Sequence, residues 1–333
     1  MVHVYNNCVT FVKGHTYTSI VCTFLFICVS QFFCASYGVD ILDTGYFLTA
    51  YEQVFDAPLS VSATMGYYLT NVFGGWILML FPQMGIFGFR IVGAAIFVFL
   101  LIILFCVYRK VIPVIHIILG SLLVVLGELK YQYFFDNGLV TCFIYVIFLL
   151  LLYRGLYRKN RVEIFISGVL VGLNIFVRLP NILSVSAILI VLLNNWFLYN
   201  KRQYDWYFTI VFTFGIFVGC LLSYLLICLL GHQQIIADYI GFMIKMGNSG
   251  SGGHSWGTLL IAQFYMYSQA FLFLCLFYTI FAIDRKLREH KQICLFLFFV
   301  LIASAVTIGY AIIKMKIFTR RIYRRCQTYI GFL

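Results

Sequence analysis

Asp40, Asp43, Glu52 and Asp56 are four of the eleven acidic residues in a chain of 333, and they crowd into one loop. The loop reads Ser36-Tyr-Gly-Val-Asp40-Ile-Leu-Asp43-Thr-Gly-Tyr46-Phe-Leu-Thr-Ala-Tyr-Glu52-Gln-Val-Phe-Asp56-Ala-Pro58. A carboxylate held in place can act as a general base, taking a proton from an attacking hydroxyl. Asp43 and Asp40 are the candidates. Asp43 also has the setting of a helix N-cap, accepting backbone N–H groups near Gly45 and Tyr46. The two roles are compatible, because a cap fixes the carboxylate. Glu52 and Asp56 read more simply as a solvated polar face. A second chemistry-bearing stretch is the run from Gly247 to Gly253, preceded by Lys245 and followed by His254 and Trp256. Its backbone N–H groups can cradle an anion, or it can serve as a plain flexible linker. It is not a P-loop, since no Gly-Lys-Ser/Thr follows. His232 and His254 lack a spacing that suggests a metal, and no C-x-x-C pattern suggests zinc.

The elements that position these residues follow from periodicity. From position 46 onward Tyr46, Phe47, Ala50, Tyr51, Val54 and Phe55 share one helical face, and Thr49, Glu52, Gln53 and Asp56 share the other. The pattern predicts an amphipathic helix over about 46–56, stopped by Ala57-Pro58 and lying in a membrane interface. The rest of the chain demands that membrane. Apolar residues make up 63%, against about 45–50% in soluble domains. Charged residues make up 10%, against about 25%, and the mean hydropathy is +0.99. A water-soluble globule has too much surface to hide so much apolar area, and a disordered chain is polar.

The fold expected is therefore all-α, a polytopic transmembrane helical bundle, because lipid cannot satisfy open backbone groups. A crossing needs roughly 20 apolar residues. About nine spans are expected, near 16–35, 88–108, 111–129, 137–153, 162–178, 181–199, 207–230, 258–282 and 292–313. Together 1–333 form a single membrane domain, with outer loops at 36–87 and 231–257 and a basic tail at 314–333. The first apolar run is long for a cleaved signal peptide and reads as a retained anchor, despite Cys34-Ala35-Ser36 after it. Most of the cysteines lie in apolar runs and behave as small hydrophobes.

The net charge of +12 reads as membrane topology rather than as nucleic-acid binding. With the N-terminus inside and 67–82 not crossing, the inner side collects Lys13, Arg109, Lys110, Arg154, Arg158, Lys159, Arg161, Lys201, Arg202, Arg285, Lys286, Arg288 and Lys291. The outer side then holds only Arg90, Lys130, Arg178 and Lys245. If 67–82 crosses, the bias inverts after it unless the N-terminus is also outside. The segment is thus expected to be a re-entrant or interfacial helix on the outer face. Lys314, Lys316, Arg320, Arg321, Arg324 and Arg325 run against this scheme. Three explanations stay open: the last run does not cross, the count is off by one, or the chain is a shortened form of a longer protein.

Three motifs carry a resemblance. They are Asp43-Thr-Gly-Tyr46 in the acidic loop, Phe87-Gly88-Phe89-Arg90 at the next span, and Gly168-Val-Leu-Val-Gly172 followed by Arg178-Leu-Pro-Asn181. With a first span, an acidic outer loop and an interfacial helix before them, they resemble the GT-C class of membrane glycosyltransferases. That class includes dolichyl- and undecaprenyl-phosphate-sugar-dependent mannosyl- and aminoarabinosyl-transferases. The resemblance covers roughly residues 15–200. One departure is clear: many members carry two adjacent acids in the loop, whereas Thr44 follows Asp43 here, which leaves divalent-metal use and the identity of the base open.

The resemblance implies an inverting sugar transfer from a polyprenyl-phosphate carrier in the lipid to an extracytoplasmic acceptor. It implies Asp43 as base with Asp40 second, and Glu52 orienting the acceptor or a metal. Arg90, Arg178, Lys245 and His254 become the candidates for the carrier phosphate, arginine through its planar fork. Trp256 and Tyr46 become candidates for stacking on the sugar. Plainer readings stand beside these: Arg90 as a helix-end anchor, Lys245 solvated, His254 and Trp256 as an aromatic-belt pair, and the Gly168/Gly172 pair as a helix-packing face. A bacterial inner membrane with the site facing the periplasm fits the class. The rival functions are a lipid-linked-saccharide polymerase, flippase or other transporter, and an inactive shortened homologue. A transporter calls for polar or broken helices at mid-membrane, whereas the acids here cluster at the outer surface.

Overall fold

Apolar runs with a helical period become helices, and the helix ends sort the charges into two opposite faces. The computed structural model describes residues 14–34, 43–61, 64–83, 85–109, 113–128, 134–198 and 206–249. Among the described residues there are ten α-helices and no strand. They are α1 (Thr16–Cys34), α2 (Asp43–Gln53), α3 (Tyr68–Leu80), α4 (Gly85–Tyr108), α5 (Val114–Glu128), α6 (Asn137–Arg158), α7 (Arg161–Val177), α8 (Ile188–Leu198), α9 (Trp206–Leu229) and α10 (Gln234–Ser249). Short 3-10 segments at Thr64–Tyr67 and Leu179–Ala187 lead into α3 and α8.

Three helices, α4, α6 and α9, are long and apolar enough to cross a bilayer. At 1.5 Å per residue α4 and α9 each extend about 36 Å, against about 30 Å of hydrocarbon. Helices α1, α4, α5, α6, α7 and α9 lie at the expected spans 16–35, 88–108, 111–129, 137–153, 162–178 and 207–230, and of these α4, α6 and α9 have the length and hydropathy to cross. The spans expected at 258–282 and 292–313, and the tail at 314–333, lie outside the described residues. The segment 67–82 becomes α3, whose 13 residues extend about 20 Å and are too short to cross alone.

The span expected at 181–199 is composite. Its first part, Leu179–Ala187, is 3-10 and only the remainder, α8, is α-helical. Pro180 stands at its start and has no N–H to give. Asn181 donates its backbone N–H to the Arg178 carbonyl at 2.8 Å, so the tighter turn is set there. A 3-10 run of this length is uncommon.

Two close approaches hold the bundle's centre. The first is the α6–α7 hairpin. Lys159 turns the chain at φ 54°, Asn160 N–H returns to the Gly155 carbonyl at 2.9 Å, and Asn160 Oδ1 caps Val162 N–H at 3.0 Å. Arg154 pairs with Glu163 across it at 2.9 Å. The second is a glycine seam. Gly168 and Gly172 on α7 face Gly215 and Gly219 on α9. The matched order 168 to 215 and 172 to 219 makes the two helices parallel. A methyl built on Gly172 would stand 2.9 Å from Gly219 Cα and nearer still to the Ile216 carbonyl oxygen. Glycine is therefore what allows the backbones to touch. Parallel neighbours require the chain to travel back between them, and the 3-10 segment with α8 is that return.

The charges separate along this axis. Arg154, Arg158, Lys159 and Arg161 lie around the α6–α7 turn, and the Arg161 guanidinium sits 4.4 Å over the ring of Tyr207 at the start of α9. Arg90 and Arg178 lie at the opposite end, where α4 begins and α7 finishes. The outward faces of the long helices are apolar, with Ile91, Phe99, Ile210, Phe214 and Phe217 exposed.

Candidate functional site

The acidic-loop helix α2 opens at Asp43 itself, a turn before the expected start, and closes at Gln53. The backbone makes one more turn, with Ala57 N–H on the Gln53 carbonyl at 2.9 Å, before Pro58. Its apolar stripe is buried as periodicity requires: Phe47, Ala50, Tyr51 and Val54. That stripe packs on α3 at Gly74 and Gly75. A methyl built on Gly75 would stand 2.6 Å from Val54 Cγ1 and 3.0 Å from the Tyr51 carbonyl oxygen. The paired glycines let α2 and α3 lie side by side.

Three hydrogen bonds fasten this pair across one end of the bundle, and a fourth extends the first of them to α4. The Tyr51 hydroxyl donates to the Phe135 carbonyl at 2.7 Å, reaching the loop before α6. Phe135 N–H donates in turn to the Phe89 carbonyl at 3.2 Å, in the first turn of α4. The Thr70 hydroxyl donates to the Val177 carbonyl at 3.1 Å, at the end of α7. Tyr68 Oη and His232 Nδ1 lie 3.0 Å apart, joining α3 to the turn between α9 and α10. The aromatic rings of Tyr51, Phe89, Phe134 and Phe135 fill the space between, at centroid separations of 5.2 Å (Tyr51–Phe89) and 5.7 Å (Phe89–Phe134). Burial pushes the Tyr51 and Tyr68 phenols up, so both stay protonated.

Helix α10 completes the assembly. Ile235 is buried in the same core, with Ile236 and Tyr239 packed against it. The start of α10 is thus docked on the segment that carries α2 and α3, through the Thr64–Tyr67 turn. Tyr46, Phe47 and Tyr67 meet edge to face, with Tyr46–Tyr67 at 6.2 Å and Phe47–Tyr67 at 5.6 Å. The Tyr46 phenol is pushed up to about 12, first by burial and then by the neighbouring phenols of Tyr67 and Tyr239.

The structure brings some of the sequence-derived site residues together and not others. Position 43 is the first residue of α2. Tyr46 is half-buried one turn further on. Glu52 is exposed on α2, away from the buried stripe of Phe47, Ala50 and Val54. Arg90 is buried in the first turns of α4. Arg178 is exposed at the C-terminal cap of α7. Arg90, Arg178 and α2 belong to the same end of the bundle. Lys245 falls within α10. Asp40, His254 and Trp256 lie outside the described residues. Among the described residues no group of His, Cys, Asp and Glu is assembled to hold a metal ion.

Sequence spacing does not reveal a buried polar cluster beneath Arg178. Asn181 Nδ2 donates to Thr141 Oγ1 at 2.9 Å and to the Asn174 carbonyl at 3.0 Å. The Ser184 hydroxyl returns to the Asn181 carbonyl. Asn174 and Asn71 are fully buried, and Asn174 Nδ2 and Asn71 Oδ1 have no partner. Such orphaned atoms cost about 1–3 kcal/mol each. The only sequence signal for the cluster is Asn181 within Arg178-Leu-Pro-Asn181. His232 is likewise invisible to spacing, since it acts through Tyr68, 164 residues away.

No protein-family model, characterised protein or solved structure matches this chain.

Proposed function

We propose that the chain is an integral membrane glycosyltransferase of GT-C type, taking sugar from a polyprenyl-phosphate carrier. The observation that supports this best is the seating of the acidic-loop helix. α2 carries Asp43 at its first residue, is tied to four neighbouring segments, and covers the end of the bundle that holds Arg90 and Arg178. The positive-inside rule sets the opposite, basic end in the cytoplasm. The site then faces outward, in a bacterial inner membrane toward the periplasm, with about nine spans in the whole chain.

In this mechanism the acceptor hydroxyl oxygen attacks the anomeric carbon. The bond from that carbon to the carrier phosphate breaks, and the phosphate leaves with the electron pair. Asp43 takes the hydroxyl proton, with Asp40 as the alternative base. Arg178, exposed at the end of α7, and Arg90 offset the charge that develops on the leaving phosphate. Tyr46, half-buried on the same helix, offers a ring for the sugar. The carrier's tail lies in the membrane, along the apolar outer faces of the helices. The acceptor is a lipid, a glycan or a protein.

One observation favours a second reading, a transporter or flippase for a lipid-linked saccharide. The 3-10 break at Leu179–Ala187 and the asparagine cluster have the character of a discontinuous helix that binds substrate. Its depth argues against that role. Asn174 lies three residues before the end of α7 at Val177, about 5 Å along the axis, whereas transporter sites sit near the midplane. The two are separated in proteoliposomes loaded with a panel of radiolabelled polyprenyl-phosphate sugars. A transferase moves label from the carrier to an acceptor. A flippase moves labelled carrier between leaflets with the sugar still attached.

A further inference from the structure

Three tyrosines from three separate elements converge on the outer assembly: Tyr46 of α2, Tyr67 of the 3-10 turn and Tyr239 of α10. Tyr46 and Tyr67 meet at 6.2 Å with their rings 77° apart. The Tyr239 ring lies across the backbone of Gly66, where a built methyl would be 3.4 Å from Cε2 and 3.7 Å from the phenol oxygen. The phenols of Tyr46 and Tyr239 each feel that of Tyr67. All three residues are half-buried, neither sealed in the core nor fully exposed.

We infer that Tyr46, Tyr67 and Tyr239 form the binding corner for an uncharged pyranose ring. Two rings set nearly at right angles offer one face for the C–H side of a sugar. Phenol hydroxyls, which both donate and accept, offer partners for its O–H groups. Tyr46 and Tyr239 are pushed up by burial and by one another's neighbour Tyr67, so they remain O–H donors at physiological pH rather than bases. The flanking segments 45–48, 64–68 and 236–241 carry one charged residue, the exposed Asp238. That environment suits a neutral polyol and not a phosphate. An aromatic belt does not account for the cluster. Belt tyrosines stand at the ends of spans, whereas these come from two helices and a turn, with Tyr46 against Tyr67 and Tyr239 across Gly66. The choice of a pyranose among polyols rests on the transferase reading, with Asp43 one turn before Tyr46.

The test is saturation-transfer NMR on the full chain in lipid nanodiscs, with millimolar methyl pyranosides of mannose, glucose and arabinose. Mannitol, an acyclic polyol, and methyl phosphate run alongside, and empty nanodiscs give the background. The variant is the pair Tyr67→Phe and Tyr239→Phe, which keeps the rings and removes two hydroxyls. Transfer to the ring C–H protons of at least one pyranoside is expected above background. It should weaken about tenfold in the double variant, as two lost hydrogen bonds imply, with the circular dichroism unchanged. No pyranoside signal above empty nanodiscs, an unchanged signal in the double variant, or equal signals from mannitol and methyl phosphate would overturn the inference. If pyranosides bind but no donor supports transfer, the site stands and the transferase reading falls. If transfer occurs and pyranosides do not bind, the tyrosine site falls alone.

Discussion

Gly172→Ala adds one methyl group to the tightest seam in the bundle. That methyl would stand 2.9 Å from both Gly219 Cα and Cys220 N, and closer to the Ile216 carbonyl oxygen. Carbon atoms rest about 3.5–4.0 Å apart, so α7 and α9 must part by roughly 1 Å at this level. The obstacle is backbone, which cannot rotate aside. The cost therefore belongs at the upper end of the overpacking range, about 2–3 kcal/mol. Alanine also gains about 1 kcal/mol over glycine in a helix, which hides part of that cost. Gly120→Ala removes the ambiguity, because a methyl there meets nothing within 4 Å. The two variants share the propensity gain, and their difference reads the clash. At about 2–4 °C per kcal/mol, Gly172→Ala should melt about 5–10 °C below Gly120→Ala in detergent micelles. Cys220 gives a local readout. Its thiol lies 3.8 Å from the Gly172 carbonyl oxygen, and its alkylation should speed up only in Gly172→Ala. Melting points within about 2 °C of each other, with equal alkylation, would show that α7 and α9 do not touch through these glycines.

Other residues give independent tests. Burial holds His232 below the usual histidine range, the smaller pull of the Phe55 carbonyl notwithstanding. The unfolded chain therefore binds the proton first, so stability is full above about pH 6.5 and falls as pH drops toward the lowered folded value. Thermal unfolding from pH 7.5 to 5.5 should show that loss, and His232→Gln should flatten the profile. Asn181→Leu removes three donated hydrogen bonds and strands their acceptors. Hydrogen exchange should speed up across Leu179–Ala187 while α9 stays protected. Arg178→Ala should leave the melting temperature within about 2 °C, as expected for an exposed side chain, yet weaken binding of a polyprenyl phosphate measured by filter retention. A large drop in stability instead would make Arg178 a packing residue.

Much of the fold is legible along the chain because burial and lipid exposure both write a helical period. The stripe of Phe47, Ala50, Tyr51 and Val54 identified the buried face of α2 correctly, and Glu52 and Asp56 stand exposed as that pattern requires. The helix begins earlier than its apolar stripe because the stripe marks packing, while Asp43 marks where the backbone turns helical. The span at 181–199 looks like an ordinary helix because its hydrophobicity is continuous. Its 3-10 half depends on Pro180 and on an Asn181–Asn174 contact that one-dimensional spacing does not display. The Gly168-x-x-x-Gly172 motif announces a packing face but not its partner, which proved to be Gly215 and Gly219 on a parallel neighbour. Tyr67, Tyr239 and His232 escaped for the same reason, since each works through residues far away in sequence. Asp40, His254 and Trp256 remain expectations from sequence.

Asp43 is the residue on which the proposed chemistry turns. Its direct test is single-turnover sugar transfer in proteoliposomes by wild type and Asp43→Asn, with donor binding measured on the same samples. A positioned general base contributes about 100- to 10,000-fold. The expected result is a loss of at least that lower size in the transfer rate, with donor affinity unchanged. Transfer by the Asn variant at close to the wild-type rate would contradict the assignment of Asp43 as the base.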